Sequence, residues 1–159
     1  MPQIIIHYTG QLDQETDMQA LCRTLADTML TVKDDAGQQV FPTGGVRVMA
    51  YPAPYYAVAD GGAAGEAAQR FNHPGDYAFV YLNVRMGRGR SASAQQRAGE
   101  ALSQATHAHF APVFARRHIG ITLQIDVGQE VYDNKHSNIH PLFQKKGADP
   151  DFAPAKLGL

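Results

Sequence analysis

Pro2-Gln3-Ile4-Ile5-Ile6-His7-Tyr8 is the stretch from which the rest of the chain is ordered. Three consecutive isoleucines in a short apolar run predict a β-strand buried on both faces. The run also sets a proline directly behind Met1. A small second residue such as proline is expected to permit removal of Met1, which would leave Pro2 at the terminus as a secondary amine. An amide nitrogen is no base at neutral pH, whereas a chain-terminal amine has a pKa of about 7.7–8.0. Apolar burial or nearby arginines would lower that value, toward the range that general acid–base catalysis favours. Pro2 is therefore a candidate catalytic base.

Outward from this strand, Thr16 and Asp17 offer N-caps to an apolar series at Met18, Leu21, Cys22, Leu25, Met29 and Val32. That spacing predicts an amphipathic helix, ended by Asp34-Asp35-Ala36-Gly37. Val46 to Tyr51 reads as a second strand. The pattern then repeats. Tyr77 to Met86 is the longest strand candidate, closed by Gly87-Arg88-Gly89-Arg90. Ser91 or Ser93 caps a long helix predicted to reach about Arg117, with Ala94, Ala98, Leu102, Ala105 and Val113 inward. Pro112 is expected to kink or break it. His118 to Val127 is a fourth strand, with Ile119, Ile121, Leu123 and Ile125 on one face.

Strand–helix–strand thus occurs twice, over 2–51 and 77–127, and each βαβ unit should pair its strands in parallel with a right-handed crossover. The fold class is α+β: a four-stranded mixed sheet with two helices on one face. The other face would be open, yet these strands read as too apolar for solvent, so another subunit is the expected cover. Residues 52–75, with Pro52, Pro54, Gly61, Gly62, Gly65, Pro74 and Gly75, form a long irregular stretch in which Ala63 to Arg70 suit about two helical turns. Past Gly128 periodicity is lost. Asn138-Ile139-His140-Pro141-Leu142-Phe143 is an apolar cluster expected to dock on a neighbouring subunit. One domain, 1–144, includes this arm, and 145–159 is expected to be a flexible tail.

Composition narrows the function. At 159 residues and a net charge of −1, neither a polyanion nor a membrane surface is an implied partner. Cys22 is the single cysteine, so no internal disulfide forms. No secretory segment or long apolar run is evident, and a cytoplasmic protein is expected. His107 and His109 point to different helix faces, and His136 and His140 lack a third ligand, so no metal site is expected. Gly87-Arg88-Gly89-Arg90 lacks a P-loop lysine, and three arginines without an aromatic platform make no nucleic-acid patch.

Arginine is the informative residue type. Arg85, Arg88 and Arg90 end the third strand candidate, and Arg47 lies within the second. A guanidinium offers a planar fork that fits carboxylates, and an arginine in an apolar strand requires a partner. For Arg47 that partner is either a neighbouring acid, solvent at a sheet edge, or an anionic substrate. Arg88 reads as a surface residue.

The Met-Pro start, the repeated βαβ plan, and the block Asp76-Tyr77-Ala78-Phe79-Val80, Gly87-Arg88-Gly89-Arg90-Ser91 and Gln95-Gln96-Arg97-Ala98-Gly99-Glu100 resemble the 5-carboxymethyl-2-hydroxymuconate isomerase family of the tautomerase superfamily. Phe41-Pro42, Gly45-Val46-Arg47, Ala59-Asp60-Gly61, His109-Phe110-Ala111, Asn138-Ile139-His140 and Leu142-Phe143 extend the likeness nearly to Phe143. The resemblance implies a homotrimer and cofactor-free proton transfer with the terminal proline as base. Matched by position, Pro2 is the catalytic residue, and Arg47 and Arg90 are site arginines. With Arg85 they would hold a small polycarboxylate. Met49 stands where the family pattern has a second arginine, Tyr51 and Pro52 where it has His and Trp, and Tyr81 where it has His. Residues 62–75 are largely an insertion. Two other readings accompany the isomerase: a hydratase or dehalogenase on the same fold, and a non-enzymatic trimeric binding protein that retains Met1.

Overall fold

The computed structural model describes residues 1–62 and 76–143. Strand β1 spans Gln3–Thr9 and leads into a 3-10 turn over Gly10–Gln14. Asp17 caps helix α1, Met18–Thr31, by accepting the Ala20 N–H at 2.9 Å. Met18, Leu21, Leu25 and Met29 are buried at the predicted spacing, and Cys22 is half-buried beside them.

Strand β2 spans Arg47–Ala53 and so runs through Pro52, which the sequence reading left outside it. The strand lies at an edge of the sheet, where a missing N–H need not break a ladder. Strand β3 is Ala78–Met86. Helix α2 is Ala92–Phe114, capped by the Ser91 hydroxyl on the Ala94 N–H at 3.2 Å. Pro112 does not break α2, which continues to Phe114. It forgoes the bond its N–H would have made to the Ala108 carbonyl, but only two helical residues follow it, and its own carbonyl accepts from Arg116 Nη1 at 2.7 Å. The inward stripe also includes Thr106 and Phe110, whereas Ala105 is half-buried. Thr106 packs as an apolar residue would, because its hydroxyl is satisfied by the Leu102 carbonyl at 2.7 Å. Strand β4 is Ile119–Val127.

The sheet order is β2-β1-β3-β4. β1 is parallel to β2, β3 is parallel to β4, and β1 and β3 join the two halves antiparallel. Ile4, Ile6, Val80, Leu82 and Val84, all at most 1% exposed, face both helices and make the core.

On the opposite face the register sets Arg47, Gln3, Arg85 and Asp126 in one row, Met49, Ile5, Asn83 and Gln124 in the next, and Tyr51, His7, Tyr81 and Thr122 in a third. Asn83 Nδ2 donates to Asp126 at 2.6 Å, and Tyr81 O–H donates to Gln124 at 2.7 Å. This face is mixed rather than apolar, which corrects the expectation of strands apolar on both sides. Of the three isoleucines, only Ile5 turns toward it. Among the described residues, no helix is long and apolar enough to cross a membrane. The helical turns expected over 63–70 and the tail 145–159 lie outside the described residues.

Candidate active site

Three of the four candidate residues meet at one end of the sheet. Pro2 lies just ahead of β1 and is buried, in step with Ile4 and Ile6. Its carbonyl accepts the Arg47 N–H at 3.3 Å. Gln3 then pairs with Arg47 on one side and Arg85 on the other. Parallel pairing puts the starts of β1 and β2 together, and antiparallel pairing brings the end of β3 to the same place. Two arginines distant in sequence therefore flank the N-terminus on the open face.

The Arg47 side chain is half-buried, and its Nη1 lies 3.4 Å from the Met1 sulfur. The guanidinium thus rests against the residue immediately ahead of Pro2. Arg85 is looser: its side chain is 60% exposed and Glu130 stands 4.0 Å away. The segment after β4 folds back across this end. The Gly128 N–H bonds the Met86 carbonyl at 2.8 Å, and Arg88 Nε donates to the Gly128 carbonyl at 3.3 Å. Asp133 is held below its ordinary pKa first by Lys135, and to a lesser degree by the chain-terminal ammonium.

Arg90 lies at the same end but on the helix side. It follows β3 by four residues, and its guanidinium stacks over the Phe41 ring, 4.8 Å from the centroid. Phe41 is fully buried in the core cluster with Ile4. Arg90 Nη1 donates to the Gly87 carbonyl at 3.0 Å, and Gln95 Nε2 donates to the Arg90 carbonyl at 2.9 Å. These bonds fix the turn Gly87–Arg90, in which Gly89 has φ +97°. Arg90 Nε is buried without a partner among the described residues. Burial lowers the guanidinium's pKa, because desolvation penalises the cation. A buried N–H without a partner is costly, and the aromatic face beneath the cation offsets part of that cost. The arginines thus occupy both sides of the sheet end, not a single cluster.

Sequence reasoning missed Phe41 as the platform for Arg90 and Gln95 as its backbone anchor, although Phe41-Pro42 and Gln95 stood in blocks it singled out. The arm 138–143 is expected to dock on a neighbouring subunit. In the single chain the Phe143 ring packs against Gly44 of the same chain.

Comparison with known proteins sets this geometry in context. The sequence model of the 5-carboxymethyl-2-hydroxymuconate isomerase family matches residues 2–143. The 5-carboxymethyl-2-hydroxymuconate Delta-isomerase of Escherichia coli is 27% identical over 144 residues, covering 91% of this chain and 100% of that protein. A solved 5-carboxymethyl-2-hydroxymuconate delta-isomerase is 60% identical with a TM-score of 0.82, covering 91% of this chain and 94% of the other. The 5-carboxymethyl-2-hydroxymuconate isomerase of Deinococcus radiodurans R1 is 29% identical with a TM-score of 0.72, covering 91% and 95%.

Proposed function

This chain belongs to the 5-carboxymethyl-2-hydroxymuconate isomerase family, an isomerase family, and from that premise we propose that its substrate is a small unsaturated 2-hydroxy polycarboxylate and its base the amine of Pro2. The reaction is an internal proton shift. Pro2 nitrogen takes the proton from the dienol hydroxyl, the O–H bond breaks as the carbonyl forms, and the electron pair moves along the diene. The proton returns to a conjugated carbon as a new C–H bond. Positioned proton transfer of this kind contributes roughly 10²–10⁴-fold. At the sheet end Arg47 and Arg85 bind a carboxylate from the open-face side and Arg90 binds another from the helix side, and Arg47 and Arg90 stabilise the dienolate charge that develops during transfer. A homotrimer would cover the open sheet face.

The observation that carries this reading is the Arg47 guanidinium resting 3.4 Å from the Met1 sulfur. Removal of Met1 converts the buried Pro2 nitrogen from an amide to an amine, and it vacates the space between that amine and the guanidinium. A substrate carboxylate fits that space. The nearby cation and the burial of Pro2 both favour the neutral, basic form of the amine. The test is a terminus that stays blocked, by acetylation or by retained Met1 verified by mass spectrometry. Turnover of a 2-hydroxymuconate-type dienol, followed by ultraviolet absorbance, should be abolished while the assembly is unchanged. Equal turnover by blocked and free protein would place the base elsewhere.

A further inference from the structure

We propose that Phe143 is a positioning residue for Arg47 and Arg90, acting through the turn Pro42–Gly45. The inference rests on the reading above, in which these arginines bind substrate. That turn is closed by the Gly45 N–H on the Pro42 carbonyl at 2.9 Å. Phe41, the platform under Arg90, enters it, and Arg47 leaves it two residues after Gly45. A slip of this turn therefore moves both cations, one on each side of the sheet.

Among the described residues, little else covers the outer surface of the turn. Pro42 and Thr43 are exposed, and Gly44 is half-buried. The Phe143 ring presses on Gly44, where a β-carbon would collide with its Cδ2 and Cε2. Gly44 also has φ +74°, a backbone that L side chains rarely adopt. Glycine is required there twice over, once for conformation and once for the ring. Phe143 closes a 3-10 turn, 140–143, itself pinned by the Leu142 N–H on the Ile139 carbonyl at 3.1 Å. The ring is 51% exposed, so the core does not need it for folding. The family match ends at this residue, although the segment from 128 to 139 that carries it there holds no helix or strand.

The experiment uses the full chain and separates two failures. Phe143→Ala should raise KM by roughly tenfold, a fraction of the 10²-fold that misplacement can cost, with kcat within about twofold. Amide exchange over residues 41–47 should accelerate, and Phe143→Tyr, which keeps the ring, should restore both readouts. Gly44→Ala, checked by circular dichroism for intact folding, should reproduce the effect by displacing the ring. An unchanged KM in Phe143→Ala, while Arg90→Ala raises KM, overturns the positioning role. A raised KM with unchanged exchange overturns the route through the turn. If Arg90→Ala leaves KM unmoved, the reading of the site fails instead, and exchange alone decides whether Phe143 holds the turn.

Discussion

The two faces of the sheet are built from alternate residues of the same strands and answer to different demands. On the helix face Ile4, Ile6, Val80, Leu82 and Val84 are sealed within one chain, while Ile121, Leu123 and Ile125 of β4 pack beside them half-buried. On the open face Ile5 and Met49 are half-buried among Gln3, Arg47, Arg85, Asn83 and Asp126. A uniformly apolar face would collapse onto anything. A face with hydrogen-bonded polar rows accepts a partner only in register, because each buried polar group must be paired again. The helix face thus fixes the fold, and the open face, with Arg47 and Arg85 at one end, is the face to which we assign assembly.

The most severe way to break this comparison is a charge at the centre of the open face. Ile5→Glu places a carboxylate between Met49 and Asn83, which pair with Ile5 on either side. In a trimer three such groups would be enclosed, at an effective penalty of several kcal/mol for each ion. The variant should fold with wild-type circular dichroism and sediment as a monomer at micromolar concentration. If the unaltered protein is itself monomeric there, the open face is not a subunit interface and the contrast has to be redrawn.

The next test compares one substitution on each face. Leu82 is fully buried, and Leu82→Ala should cost about 2–5 kcal/mol in denaturant unfolding, as methylene loss and a cavity combine. Gln124 is exposed on the other face and accepts from Tyr81 O–H. Gln124→Ala should stay within about 1 kcal/mol. Equal losses would mean that the open face stabilises the single chain as much as the core does.

The same contrast explains what was legible in the sequence. Helix-face residues recur at fixed periods, so α1, β3 and β4 were readable to within a residue or so from Leu21, Leu25, Val80, Ile121 and their neighbours. Arg47 was readable as a residue type out of place in an apolar strand, and Arg90 by its match to the family pattern. Their location on opposite sides of the sheet end was not, because it depends on β1 lying between β2 and β3, a register that no local pattern states. Phe41 under Arg90 and Phe143 on Gly44 are contacts across 49 and 99 positions, numbers that follow from the two pairs themselves. Pro52 did not end β2, because an edge strand has an outward N–H to spare, and Pro112 did not break α2, because only two helical residues follow it.

The smallest expected effect sits where the packed side of the molecule meets a titrating group. His109, on α2, bonds through Nε2 to Thr16 Oγ1 at 2.7 Å, and its ring meets Phe110 edge-on at 5.1 Å. Burial lowers its pKa below the ordinary 6.5, and the charge of Asp17 offsets part of that shift. The unfolded chain therefore takes up this proton first as pH falls. Its contribution to stability is present above about pH 6.5 and declines as pH drops through the unfolded value toward the folded one. His109→Gln keeps a group able to bond Thr16 but removes the titration. Unfolding free energy measured from pH 7.5 to 5 should fall more steeply in the wild type than in the variant, with the curves parallel above neutrality. Parallel curves throughout would show that the helix seam admits the imidazolium at no cost, and that the packed side is wetter at Thr16 than its burial indicates.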